Sequence, residues 1–455
     1  MRWQGMCKAM TVVLVAACGH DGSSVDNTMG PPPPGSTPAP VASVTVQPTP
    51  ATVLIGATLH LWATTKDSAG NVLSGRTVEW TSSDATVATV SGEGLVTAVA
   101  PGSATMTAVS EGKQATTTLT ALRLVLTTVA AGVHYTCGVA SDGAAFCWGF
   151  NDQGQLGNGP TTDTFVPSAV WGGLSFTTLS IQYAGGCGLK TDGSVFCWGS
   201  AGEPTSSGGA LGGSRSGPAL PVQIEGGRTF TAISDADGQA CALTATGAAY
   251  CWGWNRYGQL GTGDTTDRPQ PAPVTGGLTF RAISAGSDDH TCGLTTDGMG
   301  YCWGSNGVGQ VGNGTTTSST APVAVSGALT FTSLSAGGGY TCGLATGGAA
   351  YCWGTSGTAP AALPGGLTFD SITTGTRSAC GLTTAGAAYC WASNMVTPAA
   401  VPGGLTFAMI SAATDHTCGL TTAGLAYCWG SNSHGQLGDG TQNSSNAPVK
   451  VFGQP

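Results

Sequence analysis

Residues Cys137 to Trp148 read C-G-V-A-S-D-G-A-A-F-C-W, and this pattern occurs seven times in the chain. In every copy two cysteines stand ten positions apart, Gly follows the first cysteine by six positions, Phe or Tyr precedes the second, and Trp follows it. Fourteen of the sixteen cysteines belong to these units. The pairs are Cys137 and Cys147, Cys187 and Cys197, Cys241 and Cys251, Cys292 and Cys302, Cys342 and Cys352, Cys380 and Cys390, and Cys418 and Cys428.

The spacing predicts a β-hairpin with a disulfide across it. Between Cys137 and Cys147 lies a three-residue loop, Ser141, Asp142 and Gly143, whose last position favours a left-handed glycine. Such a loop places the cysteines directly opposite each other, with Cα atoms roughly 4.5 to 5.5 Å apart. Each bridge is worth about 2 to 3 kcal/mol. Zinc sites and reduced core thiols are the alternatives, but each hairpin offers two cysteines and no regular histidine, whereas zinc requires four ligands.

The start of the chain predicts export. Arg2 and Lys8 precede an apolar run that is too short to span a bilayer and that ends V-A-A-C at Cys18. This ending resembles a bacterial lipobox, which implies that residues 1–18 are a lipoprotein-type signal and that Cys18 is lipidated; an ordinary secretory signal is the alternative. Either signal leads to an oxidising compartment. Gly19 replaces the Asp that retains lipoproteins at the inner membrane, so the outer membrane or cell surface is favoured.

Two segments separate the signal from the cysteine units. Residues 19–40 are rich in Pro, Gly and Ser and predict an extended tether. Residues 41–122 contain no cysteine and alternate short apolar runs with turns, which predicts a β-sandwich. The stretch V-E-W-T-S-S-D-A-T-V-A-T-V-S, followed by G-L-V-T-A-V-A-P-G, resembles the bacterial immunoglobulin-like domain of group 2. That resemblance implies a stalk or spacer on an exported protein.

Residues 123–455 are dominated by the cysteine units. Their first cysteines are 50, 54, 51, 50, 38 and 38 residues apart, and periods of this size are typical of solenoids and propellers. Apolar runs such as L-T-F-R-A-I-S precede the hairpins and segments such as A-P-V follow them, so each unit predicts four short strands. The chain is therefore predicted to be all-β, and ring closure would remove long exposed sheet edges.

The motifs of this region resemble a known repeat family. H-T-C-G-L-T-T-D-G, Y-C-W-G-S-N and G-Q-L-G-D-G are similar to the regulator of chromosome condensation repeat, which implies a seven-bladed β-propeller. The G-Q-L-G loop is clear in the first, third and seventh units, reads G-Q-V-G in the fourth, is degraded in the second and is missing from the fifth and sixth. We expect the C-terminal strand at 447–452 to complete the first blade.

Few side chains suggest chemistry. The seven repeated tryptophans predict packing between blades, whereas Trp254 falls outside the pattern and is a candidate partner contact. Asp288 and Asp289 beside His290 form the densest polar cluster, for which a catalytic dyad and an exposed contact loop are the alternatives. No nucleophile, phosphate or calcium motif is present. We therefore expect no metal and no cofactor.

The charge disfavours nucleic acid as a partner. The formal net charge is −9, and residues 123–455 carry nine Lys and Arg against sixteen Asp and Glu. The sequence favours a monomeric, surface-anchored, non-enzymatic binding protein, in contact with the membrane only through its N-terminal lipid. Its propeller face would meet an extracellular or periplasmic protein or glycan. The alternatives are a hydrolase or lyase that acts on a surface glycan at the propeller centre, and a structural envelope component.

Overall fold

The computed structural model describes residues 38–183, 185–199, 220–224, 227–394 and 396–454. The predicted signal, Cys18 and nearly all of the tether lie outside these residues. The described part consists of strands, turns and loops, so the predicted all-β class is confirmed. It contains no helix of the length and hydropathy needed to cross a membrane.

Nine strands form the N-terminal domain. They are β1 Ser43–Gln47, β2 Ala51–Leu54, β3 Thr58–His60, β4 Trp62–Lys66, β5 Glu79–Ser82, β6 Ala88–Val90, β7 Leu95–Ala98, β8 Gly102–Ser110 and β9 Lys113–Leu122. The sheets have the orders β2-β9-β8-β5, β3-β7-β6 and β1-β4. Alternating residues of these strands, such as Val96, Met106 and Leu119, are fully buried in one apolar core. The predicted sandwich is therefore present, with a parallel β2-β9 pair.

Seven four-stranded antiparallel sheets follow in the described residues, each built from consecutive strands. They are β10 Leu126–Ala131, β11 Tyr135–Ala140, β12 Ala145–Gly149, β13 Thr164–Ala169; β14 Thr178–Ile181, β15 Gly185–Leu189, β16 Val195–Gly199, β17 Val222–Gln223; β18 Ala232–Ala236, β19 Gln239–Leu243, β20 Ala249–Gly253, β21 Arg268–Pro273; β22 Phe280–Gly286, β23 His290–Thr295, β24 Gly300–Gly304, β25 Ser319–Ala324; β26 Phe331–Ala336, β27 Tyr340–Ala345, β28 Ala350–Gly354, β29 Gly357–Ala362; β30 Ser371–Thr374, β31 Ser378–Leu382, β32 Ala388–Ala392, β33 Ala399–Ala400; and β34 Met409–Ala412, β35 His416–Leu420, β36 Ala426–Gly430, β37 Ser445–Lys450. The second and third strands of each sheet are the predicted hairpin.

All seven predicted cysteine pairs are bonded across their hairpins. Cys137 stands opposite Cys147 in the register, and Gly143 closes the loop with φ at 87°. The paired Cα atoms are 4.0 to 4.1 Å apart, closer than predicted. Because Ala140 N donates to Ala144 O, alternation along the ladder makes the cysteines a non-hydrogen-bonded pair, the closer of the two kinds.

Side-chain hydroxyls join the first strands of neighbouring sheets. Ser180 Oγ accepts a hydrogen bond from Asp235 N at 2.8 Å, from a position opposite the first cysteine of its hairpin. Five further bonds follow the same pattern, from Ala285 N to Ser234, Ala336 N to Ser284, Thr374 N to Ser335, Ala412 N to Thr373 and Ala131 N to Ser411. The last of these bonds connects the seventh sheet to the first, across 280 residues of sequence.

The first sheet lacks this hydroxyl, because Ala130 occupies the position opposite Cys137. Ile181 of the second sheet occupies the position that Asp235 occupies in the third. We expect the hydroxyl introduced by Ala130→Ser to accept a hydrogen bond from Ile181 N. One added bond of about 1 kcal/mol should raise the thermal midpoint by roughly 1 to 3 °C, measured by circular dichroism. Ala130→Val is the control without a hydroxyl, and equal midpoints for the two variants would contradict the prediction.

The predicted role of the C-terminal strand is wrong. β37 pairs with β36 inside the seventh sheet, and β10 opens the first sheet by pairing with β11. The apolar run of β10 forms the first strand of the first sheet, so this sheet has four strands without a contribution from the C-terminal strand. The two ends still meet, since Leu124 N donates to Gly453 O at 2.9 Å. Leu54 of the N-terminal domain joins the same apolar cluster as Leu124 and Val451.

Candidate functional site

The turns between first and second strands and the loops between third and fourth strands lie at the same end of each sheet, here called the loop face. Backbone bonds connect them, as Trp254 N donates to Gly238 O at 2.8 Å and Ser305 N donates to Asp289 O at 2.7 Å. The hairpin loops, such as the one at Asp142, lie at the opposite end. The predicted contact residues therefore share one face.

Trp254 forms the apolar base of a patch on this face. Its half-buried ring packs onto Gly238, where no Cβ would fit, and the Arg256 guanidinium carbon lies 5.5 Å from the ring centre. This distance permits a cation–π interaction. Tyr257 follows with 44% of its surface exposed. The solvent-facing side of the patch therefore presents a guanidinium group next to aromatic rings.

Three carboxylates from two neighbouring sheets complete the patch. Burial, together with the nearby charges of Asp289 and Asp288, raises the pKa of Asp237 to about 6. Burial also raises the pKa of Asp288 and of Asp289, and Arg256 opposes the shift at Asp289. Gln259 Nε2 donates to Asp289 Oδ1 at 2.7 Å. These carboxylates are therefore crowded and partly desolvated at neutral pH.

We call this surface the acidic–aromatic patch; its members are Asp237, Trp254, Arg256, Tyr257, Asp288 and Asp289. The structure thus brings together the three predicted contact residues, Trp254, Asp288 and Asp289. Asp237 and Arg256 were not among the residues predicted from the sequence. A signal existed for Asp237, which precedes Cys241 by four positions just as Asp288 precedes Cys292.

His290 does not form a dyad with the aspartates. It is fully buried, and its Nε2 lies 2.9 Å from Thr341 Oγ1 of the next sheet, whereas Asp289 is held by Gln259. His416 makes the same bridge, with Nε2 at 2.8 Å from Thr136 Oγ1 of the first sheet. These histidines are bridges between sheets. The described residues contain no group of three or more metal-ligating side chains placed to hold an ion.

The first strands carry little charge where they face one another. In the described residues, Asp235 and Arg281 are their charged members. Asp235 is buried, and Arg281 donates to the carbonyl oxygens of Thr295, Phe331 and Thr332. The described residues of these strands therefore bring no pair of carboxylates together, the arrangement that glycoside hydrolysis uses.

Each complete loop caps the tryptophan of the next sheet. Trp353 Nε1 donates to Gln310 O at 3.0 Å, and the residue after that glutamine, Val311, is fully buried. The same bond is present from Trp148 to Gln436, from Trp198 to Gln155 and from Trp303 to Gln259. The fifth unit lacks the loop, and Trp391 Nε1 is buried without a partner. The repeated tryptophans thus pack between sheets.

This contrast yields a paired prediction. Both Trp353→Phe and Trp391→Phe shrink a buried ring, but Trp353→Phe also leaves the Gln310 carbonyl short of a donor, whereas Trp391→Phe removes a donor that was already unpaired. We expect Trp353→Phe to lower the free energy of unfolding by about 1 to 2 kcal/mol more than Trp391→Phe. Denaturant titration followed by circular dichroism measures the difference. Equal losses would show that the indole bond contributes nothing.

Family comparisons agree with this geometry. A model described as the Regulator of chromosome condensation (RCC1) repeat matches residues 142–187, 246–294 and 297–344. A second model of that description matches residues 126–155, 222–259, 280–310 and 410–436. The chain contains RCC1 repeats. A model described as the Bacterial Ig-like domain (group 2) matches residues 40–121, in front of the RCC1 repeats.

Similar proteins share the repeats over part of their length. The ultraviolet-B receptor UVR8 of Arabidopsis thaliana is 30% identical over 201 residues, 43% of this chain and 45% of the receptor. The match therefore spans less than half of that relative. Solved structures with the same fold include human WBSCR16, with TM-score 0.60, 19% identity and coverage of 68% and 94% of the two chains. Prp20p of Saccharomyces cerevisiae has TM-score 0.59, 18% identity and coverage of 72% and 87%.

Proposed function

We propose that this protein is an exported, lipid-anchored, non-enzymatic scaffold whose RCC1 repeats form a closed seven-bladed propeller and bind a protein or glycan through the loop face. Cys18 carries the lipid, residues 19–40 are the tether, and the Ig-like domain spaces the propeller from the membrane. The propeller comprises residues 123–455. The surface that carries this proposal is the acidic–aromatic patch.

Contacts between the first and seventh sheets support a closed ring. Ala131 N donates to Ser411 Oγ at 3.0 Å, and Trp148 Nε1 donates to Gln436 O at 3.0 Å. Both bonds repeat those found between consecutive sheets. On this proposal each of the seven sheets is one blade, and the seventh is joined to the first by bonds of the kind that join consecutive sheets.

The loop face combines the features of a binding surface with a rigid support. The carboxylates of the patch repel one another and are partly desolvated in the free protein. A partner that brings positive charge or hydrogen-bond donors would compensate for both effects. Tyr257 adds exposed aromatic area, and aromatic residues are enriched among energetically important contacts. Among the similar proteins, UVR8 is named as a receptor, and the Prp20p study reports binding to Gsp1p and histones. Those partners are theirs, and they serve here as precedent for binding by this fold.

A photo-crosslinking amino acid in place of Tyr257 tests the binding role on intact cells. We expect an adduct at this position and none at Asp142, which is exposed at the opposite end of the sheets. Asp288→Asn combined with Asp289→Asn should reduce the adduct about tenfold. Equal labelling at both ends, or no adduct at either, would refute the proposal.

Export is tested separately. Cells fed radiolabelled palmitate should incorporate label into the wild-type chain and not into Cys18→Ala, which should also lose membrane association. Label in Cys18→Ala, or an unlabelled wild-type chain in the cytoplasm, would refute the anchor.

A further inference from the structure

The junction between the sixth and seventh sheets lacks a part that other junctions possess. Loops 150–163, 254–267, 305–318 and 431–444 connect third and fourth strands and carry the capping Gln. In the sixth unit only residues 393–398 separate β32 from β33. The seventh sheet therefore receives no capping loop, and its Trp429 is 8% exposed, compared with 0 to 1% for Trp148, Trp198, Trp252, Trp303 and Trp353.

Two donors in a complete junction share one carbonyl acceptor. Gln310 O accepts from Trp353 Nε1 at 3.0 Å and from Thr341 Oγ1 at 2.9 Å. Gln436 O likewise accepts from Trp148 and Thr136, and Gln259 O accepts from Trp303 and Thr291. The carbonyl is thus the central atom of the junction, and the Leu or Val that follows the Gln fills the apolar space beside it.

The seventh sheet has the two donors without the acceptor. Thr417 stands opposite Trp429 in the register, as Thr341 stands opposite Trp353. Thr417 is 94% buried, and among the described residues the one hydrogen-bonding neighbour of its hydroxyl is Cys380 Sγ, at 3.8 Å. Trp429 Nε1 makes no hydrogen bond there. A buried hydroxyl and an indole N–H therefore converge on a position that holds a peptide carbonyl in three other junctions.

We propose that this junction is a binding site for a turn segment of a partner protein, which supplies the missing carbonyl to Trp429 and Thr417 and places a Leu or Val side chain beside them. The inference rests on the proposed binding role and specifies the chemistry of one partner segment. The chain's own Gly-Gln-Leu-Gly loops describe that chemistry, because they fill the equivalent positions. A turn in which Leu or Val follows a Gln and precedes a Gly fits, whereas a glycan supplies no such aliphatic side chain.

A peptide with the sequence of residues 432–440, N-S-H-G-Q-L-G-D-G, is the probe. Added to the exported chain labelled with 15N-tryptophan, it should shift the indole signal of Trp429, assigned through Trp429→Phe, and leave that of Trp303 unchanged. Trp429→Phe and Thr417→Val should each weaken binding about tenfold, the effect of one hydrogen bond. Trp303→Phe is the matched control, because its site is already filled, and should bind the peptide like the wild type.

Substitution in the peptide and in the chain completes the test. A peptide with Asp in place of Leu should not bind, and grafting the 432–440 sequence between β32 and β33 should abolish peptide binding, whereas a Gly-Ser graft of equal length should not. No shift at Trp429 with saturating peptide, or equal shifts at every tryptophan, would overturn the inference. On cells, a crosslinker adduct at Tyr257 but none at Ala392, which is exposed beside this junction, would overturn it while leaving the proposed function standing. Adducts at neither position would overturn both.

Discussion

Reduction of the seven disulfides is expected to leave the RCC1-repeat region unfolded under conditions in which the oxidised chain is native. Each bridge contributes about 2 to 3 kcal/mol on the chain-entropy model, so even half of the seven contributions, roughly 7 to 10 kcal/mol, is comparable to the roughly 5 to 15 kcal/mol of net stability typical of a domain. The short period and the small apolar core of each unit leave little to compensate for this loss.

Thiol counting and refolding provide the measurement. The chain from residue 19 onward should show no free thiol when denatured without reductant and fourteen after reduction. Refolding from denaturant should restore the circular dichroism spectrum of the oxidised chain but not that of the reduced chain. Under native conditions the Cys380–Cys390 bridge should be reduced first, because Cys390 is only half-buried while the other bridged cysteines are at most 2% exposed. Native-like refolding of the reduced chain would contradict the prediction.

Mild acid is expected to destabilise the protein through His290, and His290→Gln should remove that effect. Thr341 Oγ1 donates to Gln310 O, so His290 Nε2 is the donor to Thr341 and Nδ1 is left unprotonated, buried and without a partner. Burial lowers the pKa of His290 from 6.5 to about 4. Between these values the unfolded chain binds the proton and the folded chain does not. Stability is therefore complete above pH 6.5 and falls by about 3 kcal/mol as the pH approaches 4.

Glutamine is a matched replacement because the third sheet already uses it. Gln239 Nε2 donates to Thr291 Oγ1 at 3.1 Å, the counterpart of the His290 bond to Thr341. Denaturant titration of wild type and His290→Gln from pH 7 to pH 4 should give curves that diverge on the acid side. Asp237 has a raised pKa, so its contribution to stability has the opposite pH dependence and declines as the pH rises through about 6. Because both chains contain Asp237, its contribution cancels when the free energies of unfolding of the two chains are subtracted. Parallel curves would contradict this role of His290.

His416 provides an internal comparison. Its pKa is lowered by burial, but Asp415, whose Oδ1 lies 3.6 Å from His416 Nδ1, opposes the shift. The stability that wild type loses in acid relative to His416→Gln should therefore be smaller than the stability it loses relative to His290→Gln.

Local rules account for what the sequence predicted well. The ten-residue spacing and the glycine six positions after each first cysteine determine the hairpin, because a left-handed residue and an odd loop length set the register. The all-β class followed from the repeated short runs. Trp254, Asp288 and Asp289 were each predicted as contact residues, but their meeting on one face depends on the antiparallel order of the strands and was not predicted.

Contacts between units were not predictable in the same way. Whether 447–452 paired with the first or the last sheet depended on which strand could fill the edge, and β10 filled it. The bond from Ala131 N to Ser411 Oγ joins residues 280 positions apart, and a single serine or threonine in a unit carries no sign of its partner. His290 looked like a catalytic candidate beside two aspartates, because sequence adjacency does not reveal that neighbouring side chains point in different directions.

The meeting of the two chain ends has a mechanical consequence. A load applied through the N-terminal domain enters the repeats at Leu124, where Leu124 N is bonded to Gly453 O and the Gly56 backbone packs against the Phe452 ring. Tension would thus reach the last sheet as readily as the first. A pull on the N-terminal domain would be shared by the first and the last sheet instead of peeling the sheets away one after another.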